Sequence, residues 1–256
     1  MEVRVGTSGY SFEDWRGEFY PPGIDKGKML DYYVRHFSTV EINSTYYRIP
    51  HPAVMVNMVK KAPPGFDFMI KVPQSMTHRR TDVEEDMAKF LEAIRPFEES
   101  GNLAGLLAQF PYSFKFNSDG LDYIGTCREA LSPHRLFVEF RHDGWENKAT
   151  YDRLRAEKIG YVSVDEPQLR GLLKPHLLST TDIGYIRLHG RNSEQWWHGG
   201  ALRYDYNYSL EELEVWQKKI ENVKNKIKKM YVFFNNCHQG KAVSNAQQFI
   251  RLLAER

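Results

Sequence analysis

The chain has 256 residues, 41% of them hydrophobic and 14% aromatic, which is enough for a sizeable core and close to the length of one (β/α)8 barrel. Its net charge of +2 does not by itself call for a nucleic-acid partner, though local patches can still act. Two distant cysteines, Cys127 and Cys237, suit neither a disulfide framework nor a zinc site, and no apolar run approaches the ~20 residues of a membrane span.

In chain order, β-like runs read VRVGT, TVEIN, DFMIK, LAGLLAQF, LFVEFRH, GYVSVDE, GYIRLHG and MYVFFNN. Helical spacing fills the intervals. Met29, Leu30, Tyr33, Val34 and Phe37 form the first such stretch, and Pro52 opens a second at a first-turn position. Asp82 with Glu85 resembles a capping box ahead of Met87, Phe90, Leu91 and Ile94. Ser118 precedes Leu121, Ile124 and Leu131, while Lys148 to Lys158 and a short piece from Pro167 to Leu173 carry weaker patterns. Ser209 with Glu212 is the clearest capping box, leading into Leu213, Trp216, Ile220, Val223 and Ile227, and Ala242 to Leu253 closes the chain. Eight alternations of strand and helix predict an α/β fold, a single TIM-type (β/α)8 barrel over residues 1–256. The rival, a doubly wound open sheet, usually offers a G-x-G-x-x-G loop after its first strand, and GTSGYSFEDWRG lacks that spacing. The N-terminal MEVRVGTSGY has no basic segment followed by an apolar run, so no signal peptide is expected and a reducing, cytoplasmic setting fits.

Nearly every β-like run ends in polar residues. The tips are Thr7 and Ser8, Glu41 and Asn43, Lys71, Gln109, Glu139 and Arg141, Asp165, Arg187 and His189, and Asn235 and Asn236. A buried strand carries charge at its tip only when something pairs with it, and the C-terminal rim of a barrel is where active sites lie. Three readings compete. Glu41, Glu139, Asp165 and His189 are of the types that ligate a divalent metal. They also suit an ion-pair network with Lys71, Arg141 and Arg187. Finally, Lys71, Arg141, Arg187 and Arg191, with the amides of the Gly6–Gly9 turn, suit a cationic bowl for phosphate or carboxylate.

Aromatic residues follow the tips: Tyr10, Phe12, Trp15, Tyr46, Tyr47, Trp145, Trp196 and Trp197. Such rings either stack on planar ligands or pack the loops together. The Gly190–Ser209 segment is long enough to be a lid or a binding loop, with Gly190, Gly199 and Gly200 as hinges and Trp196 and Trp197 as its apolar face. The lysines of KKIENVKNKIKK fall between apolar positions and read as a solvated helix face. Cys237 reads as a small buried thiol, with no base in view to activate it.

The motifs GTSGYSFEDWRGEFYP, FSTVEINSTYYRIP, FDFMIKVPQSMTH, LLAQFPYSF, LFVEFRHDGW, YIRLHGR and YVFFNN with GKAVSNA resemble the YecE-like family, domain of unknown function 72, over essentially the whole chain. The resemblance implies a TIM-type barrel, agreeing with the strand count, and supplies no activity. It also connects the fold to endonuclease-IV-like barrels and so to nucleic acid. The chain departs from that pattern, since a trinuclear zinc site needs several histidines at strand tips and His189 is the one clear case. It departs as well from the paired acids that a common glycosidase class carries on strands four and seven, where Gln109 and His189 stand.

The expectation is a cleft at the C-terminal mouth that binds a phosphorylated or otherwise anionic ligand, a nucleotide or nucleic acid among them. Glu139, His189, Glu41 and Asp165 are the candidates for acid–base chemistry of hydrolase type. Thr7, Ser8, Asn43, Lys71, Gln109, Arg141, Arg187, Arg191, Trp196, Trp197, Asn235 and Asn236 are the candidates for ligand binding. No metal, other cofactor or membrane partner is expected. The alternatives are a noncatalytic nucleic-acid-binding module and a sugar-handling isomerase or hydrolase.

Overall fold

The structure, a computed structural model, describes residues 1–81 and 83–255. Its strands are β1 (Glu2–Thr7), β2 (Thr39–Ile42), β3 (Asp67–Lys71) and β4 (Leu103–Gln109), then β5 (Leu136–Glu139), β6 (Gly160–Asp165), β7 (Ile183–Leu188) and β8 (Lys229–Phe234). All eight run parallel in the order β1-β8-β7-β6-β5-β4-β3-β2. A bridge between Ser8 and Glu41 joins the two outermost strands and brings the ring to near closure. Gly6 permits that approach: a Cβ there would sit 2.3 Å from the Thr39 carbonyl oxygen.

The helices are α1 (Met29–Tyr33), α2 (Ser44–Tyr47), α3 (Pro52–Lys61) and α4 (Val83–Glu99), followed by α5 (Ser118–Ala130), α6 (Lys148–Ala156), α7 (Leu210–Val223) and α8 (Lys241–Ala254). The longer helices bury an apolar stripe, whereas the short α2 buries Thr45 alone. In α4 the buried positions Phe90, Ala93, Ile94 and Phe97 recur at helical spacing, and Phe97 packs on Phe68 of β3. The Ser209–Glu212 capping box forms, with the Ser209 hydroxyl accepting from the Glu212 amide and the Glu212 carboxylate accepting from the Ser209 amide. Asn117 caps α5. Of the other expected box, Asp82 lies outside the described residues.

Two local expectations differ. α1 ends at Tyr33, and its apolar pattern continues to Phe37 through turns. Among the described residues no helix separates β6 from β7, so the expected short helix from Pro167 to Leu173 is absent. Pro167 and Pro175 lack amide donors and Gly171 adopts a positive φ of 86°. Side chains take over the hydrogen bonding instead. Glu166 accepts from the Leu173 amide, and the Ser163 hydroxyl accepts from the Leu178 amide and donates to its carbonyl.

Candidate functional site

The strand tips that enter the ring do so at every second residue. Lys71, Gln109 and Glu139 end three strands, Glu41 and Arg187 are next to last in two more, and Asn43, Arg141, Glu166, His189 and Asn235 lie one or two residues beyond. Arg187 joins two acids. Its Nε and Nη2 donate to Glu41 Oε2 and Oε1 at 2.9 and 2.6 Å, and its Nη1 donates to Glu139 Oε2 at 2.6 Å. Arg141 holds the other oxygen of Glu139 at 2.6 Å and reaches Glu166 at 3.3 Å. The Tyr185 hydroxyl and Asn43 Nδ2 also donate to Glu41. Buried charges persist when paired and hydrogen-bonded in this way, so the ion-pair reading of these tips describes the geometry.

Lys71 is the exception. Its Nζ donates to the neutral Gln109 Oε1 at 2.8 Å and lies 4.2 Å from the Tyr46 ring centroid. Among the described residues it forms no ion pair. Burial, reinforced by the field of Arg187, lowers its pKa to about 7. Burial also lifts Glu166 to about 8, outweighing Arg141. Glu139, equally buried, is nevertheless held well below the usual carboxylate range by Arg141 and Arg187. Burial and then Arg141 take His189 down to about 3, so its ring is neutral. His189 Nδ1 is 2.8 Å from Asn235 Nδ2, which donates to it, and this leaves the proton on Nε2. Nε2 stands 3.3 Å from Glu139 Oε1 without hydrogen-bond geometry.

Above this network lie two adjoining cavities. The inner one, about 200 Å³, is lined by Ser8, Asn43, Lys71, Gln109, Arg141, Arg187 and Asn235, with Phe12, Tyr47, Tyr204 and Cys237. The outer one, about 270 Å³, shares Tyr47, Lys71, Gln109, Arg141 and Tyr204, and adds Tyr46, His78, Tyr112, Trp196, Trp197 and Arg203. Among the described residues the Ser8 hydroxyl and Asn43 Oδ1 are buried without hydrogen-bond partners. A larger hollow of about 740 Å³ opens among Val3, Val5, Pro64, Phe66 and Ile220, near the N-terminal strand ends, and bears none of the tip groups. The inner cavity is therefore the candidate site.

Four of the expected residues turn away from it. Asp165 faces α7, where its carboxylate accepts from Arg191 Nε and Nη2 at 2.7 Å each and from Trp216 Nε1. Arg191 turns its remaining nitrogen, Nη1, to Glu212 and lines neither cavity. Thr7 pairs with the Tyr33 hydroxyl of α1, and Asn236 donates to Asn245 and to the Tyr206 carbonyl. Glu41, Glu139 and His189 belong to the network but line neither cavity. Among the rings, Trp15 and Trp145 are structural, each fully buried with its indole N–H donated to a carbonyl. Phe12, Tyr46, Tyr47, Trp196 and Trp197 do line the cavities. Contributors not singled out from the sequence are Glu166, His78, Tyr112, Arg203 and Tyr204, besides Pro111 and Leu172. Glu166 is the inward neighbour of Asp165, and in the wholly buried β6 no alternation of hydropathy marks which of the two enters the ring. Tyr204 reaches the site from the 3-10 turn over Gly200–Tyr204 and His78 from a π-helical turn over Ser75–Arg79, and neither left such a signal. Burial raises the pKa of the Cys237 thiol, as a small core thiol requires.

The loop after β7 is fastened at its base. Gly190 turns at a φ of 90° and its amide donates to the Tyr208 hydroxyl, while Arg191 ties the loop to β6 and α7. Its far part contains a 3-10 turn over Gly200–Tyr204 and leans over the mouth. There Trp196 is buried and Trp197, 44% exposed, meets the Tyr112 ring edge-on. Among the described residues no group of three His, Cys, Asp or Glu side chains is arranged to hold a metal ion; Glu41 and Glu139 are engaged by Arg187 and Arg141, and Asp165 faces α7. No described helix is long and apolar enough to cross a membrane.

Fold and site together define a (β/α)8-barrel protein with a charge-lined C-terminal mouth. The chain belongs to the DUF72 family, described as a protein of unknown function, whose model matches residues 4–256. It is similar to the UPF0759 protein YunF of Bacillus subtilis (strain 168), with 31% identity over 98% of this chain and 94% of YunF. A solved DUF72 family protein of Thermotoga maritima superposes with a TM-score of 0.92 at 43% identity, covering 99% of this chain and 100% of that one. Another, from Enterococcus faecalis, gives 0.88 at 25% identity over 98% and 95% of the two chains.

Proposed function

We propose that residues 1–256 act as one barrel domain whose mouth binds a phosphorylated or otherwise anionic small molecule. The observation that carries this reading is Lys71, a buried cation facing a cavity and paired with an amide where a carboxylate would balance it. Lys71 and Arg141 hold the anion, and the unpartnered oxygens of Ser8 and Asn43 take its neutral polar groups. The rings of Tyr46, Tyr112, Trp196 and Tyr204 cover it. Glu41, Glu139 and His189 position the cations and Asn235 from behind, and Asp165 with Arg191 secures the loop. Lys71 takes over the proton-handling role, since it titrates near neutrality and touches the cavity.

Thermal shift against inorganic phosphate, phosphorylated metabolites, nucleotides and short oligonucleotides tests the reading. A ligand at 100 times its Kd stabilises by about 2.7 kcal/mol. Phosphorylated small molecules are expected to raise Tm, uncharged analogues to leave it unchanged, and Lys71→Met to abolish the gain. Stabilisation by oligonucleotides alone, weakening steeply with salt and unaffected by Lys71→Met, would replace this reading with a noncatalytic nucleic-acid-binding module on the exposed Tyr47 and Trp197 rings.

A further inference from the structure

We propose that Lys71 is a nucleophilic amine that forms an imine with the carbonyl group of a small phosphorylated aldehyde or ketone, an inference that rests on the anion-binding reading of the same mouth. The amine has three geometric qualifications. Lys71 lines both the inner and the outer cavity, so its side chain borders the space that opens at the mouth. Gln109 Oε1 at 2.8 Å and the Tyr46 face at 4.2 Å fix it in place without demanding that it be charged, because an amide oxygen accepts from a neutral amine as well. The acids that would hold it as an ammonium are already engaged: Glu41 by Arg187, and Glu139 by Arg187 and Arg141.

A lysine that only balanced charge would face one of those carboxylates. A lysine that only filled space would be replaced at lower cost by an apolar side chain, since burying an ammonium without a counter-ion is unfavourable. A desolvated lysine beside other cations has the environment that turns an amine into a nucleophile for carbonyl compounds. Its pKa near 7 leaves about half of it neutral at pH 7, whereas an exposed lysine at ~10.4 is almost wholly protonated.

The step balances within the pair. The lone pair of neutral Nζ attacks the carbonyl carbon and a C–N bond forms. The C–O bond then breaks, and the oxygen departs as water with the two hydrogens that the amine carried. Arg141, in the wall of both cavities, receives the phosphate of the same molecule, and Asn43 and Ser8 receive its hydroxyls. The inner cavity, about 200 Å³, suits a ligand of a few carbons.

The test uses the full chain with glyceraldehyde 3-phosphate and sodium cyanoborohydride, which reduces an imine to a stable secondary amine, followed by intact mass and peptide mapping. Unphosphorylated glyceraldehyde serves as the control aldehyde. The expected result is one adduct, on Lys71, formed roughly tenfold or more faster than on any other lysine. Inorganic phosphate should slow it, and Lys71→Arg should lose it. Wild-type peptide mapping alone decides the matter if that variant does not fold. Adducts spread over exposed lysines with Lys71 unmodified would overturn the inference. Thermal shift with glycerol 3-phosphate, which has no carbonyl, separates the two levels. Stabilisation without Lys71 trapping rejects the imine and keeps the anion site. Trapping at equal rates with both aldehydes, without phosphate protection, keeps the reactive amine and rejects both the phosphate-bearing substrate and the anion site. Neither effect rejects both.

Discussion

Arg187 and Glu41 meet across the barrel from strands that are not neighbours, β7 and β2, through two hydrogen bonds of 2.9 and 2.6 Å. The pair braces the ring near Ser8 and Glu41, where strand pairing is reduced to a single bridge. Glu41→Gln keeps an oxygen for Tyr185 but leaves Arg187 with Glu139 as its one carboxylate. The expected loss is about 2–3 kcal/mol in denaturant unfolding, below the ~3–5 kcal/mol of a wholly uncompensated buried charge, because Arg187 loses one of its two counter-charges and keeps Glu139. Glu41→Gln combined with Arg187→Met should cost less than the sum of the two single changes. A loss below about 1 kcal/mol for the single variant would remove the pair from the bracing role.

Glu166 makes stability fall with rising pH. Its folded pKa, about 8, is above its ordinary value of 4.5, so the folded state holds the proton more tightly. The stabilisation is complete below 4.5 and is lost as pH rises through about 8. Glu166→Gln keeps the acceptor for the Leu173 amide and cannot ionise. Its stability relative to wild type should therefore rise across this window and level off above it, as urea midpoints at each end will measure. A difference that is flat with pH would refute the assignment.

The barrel and its polar tips were legible because buried β-runs and amphipathic helices alternate, and because charge is rare at the end of a buried strand. Which of two adjacent tip residues enters the ring was not. All six residues of β6 are buried, as befits a parallel strand covered on both faces, so hydropathy does not distinguish inward Glu166 from outward Asp165. The same ambiguity put Thr7 beside Ser8 and Asn236 beside Asn235. Arg191 suggested an anion ligand because its partner Glu212 lies a whole loop away in the chain. The stretch after β6 looked helical because the apolar residues Leu169, Leu172 and Leu173 mimic a helical face, while Pro167 and Gly171 set the backbone otherwise.

Asp165 secures the loop that covers the site. Asp165→Asn removes the charge that holds Arg191 and presents an amide N–H2 toward donors that need an acceptor. Because Arg191 is 29% exposed, the expected loss is about 2 kcal/mol, less than for a wholly buried pair. Limited proteolysis with trypsin should then cut at Arg191 or Arg203 faster than in wild type. Unchanged cleavage would show that Asn236, Tyr208 and Asn192 hold the loop without it.

Trp196 and Trp197 should separate in their effects. Trp196, 3% exposed, packs into the mouth with the Arg141 guanidinium 5.8 Å from its ring, so Trp196→Ala should cost about 3–5 kcal/mol of stability. Trp197→Phe should be nearly neutral for stability, and a ligand that orders the loop should then quench or shift the fluorescence of Trp196. A ligand whose affinity survives Trp196→Ala and Trp197→Ala unchanged would place the loop outside the site.

Ligand binding should draw a proton into the mouth. Burial and Arg187 hold the Lys71 pKa near 7, so above that pH most of the amine is neutral. Free inorganic phosphate, which brings no carbonyl to the amine, places negative charge beside it and favours the ammonium, moving the pKa back toward its ordinary 10.5. Between these values each phosphate should bind with uptake of up to about one proton, and well below pH 7 with none. Calorimetry in two buffers of different ionisation enthalpy measures the uptake directly, since the apparent heat differs by the number of protons exchanged. Lys71→Met should abolish the difference wherever phosphate still binds. Equal heats in both buffers above neutrality for the wild-type protein would mean that Lys71 does not sense the anion.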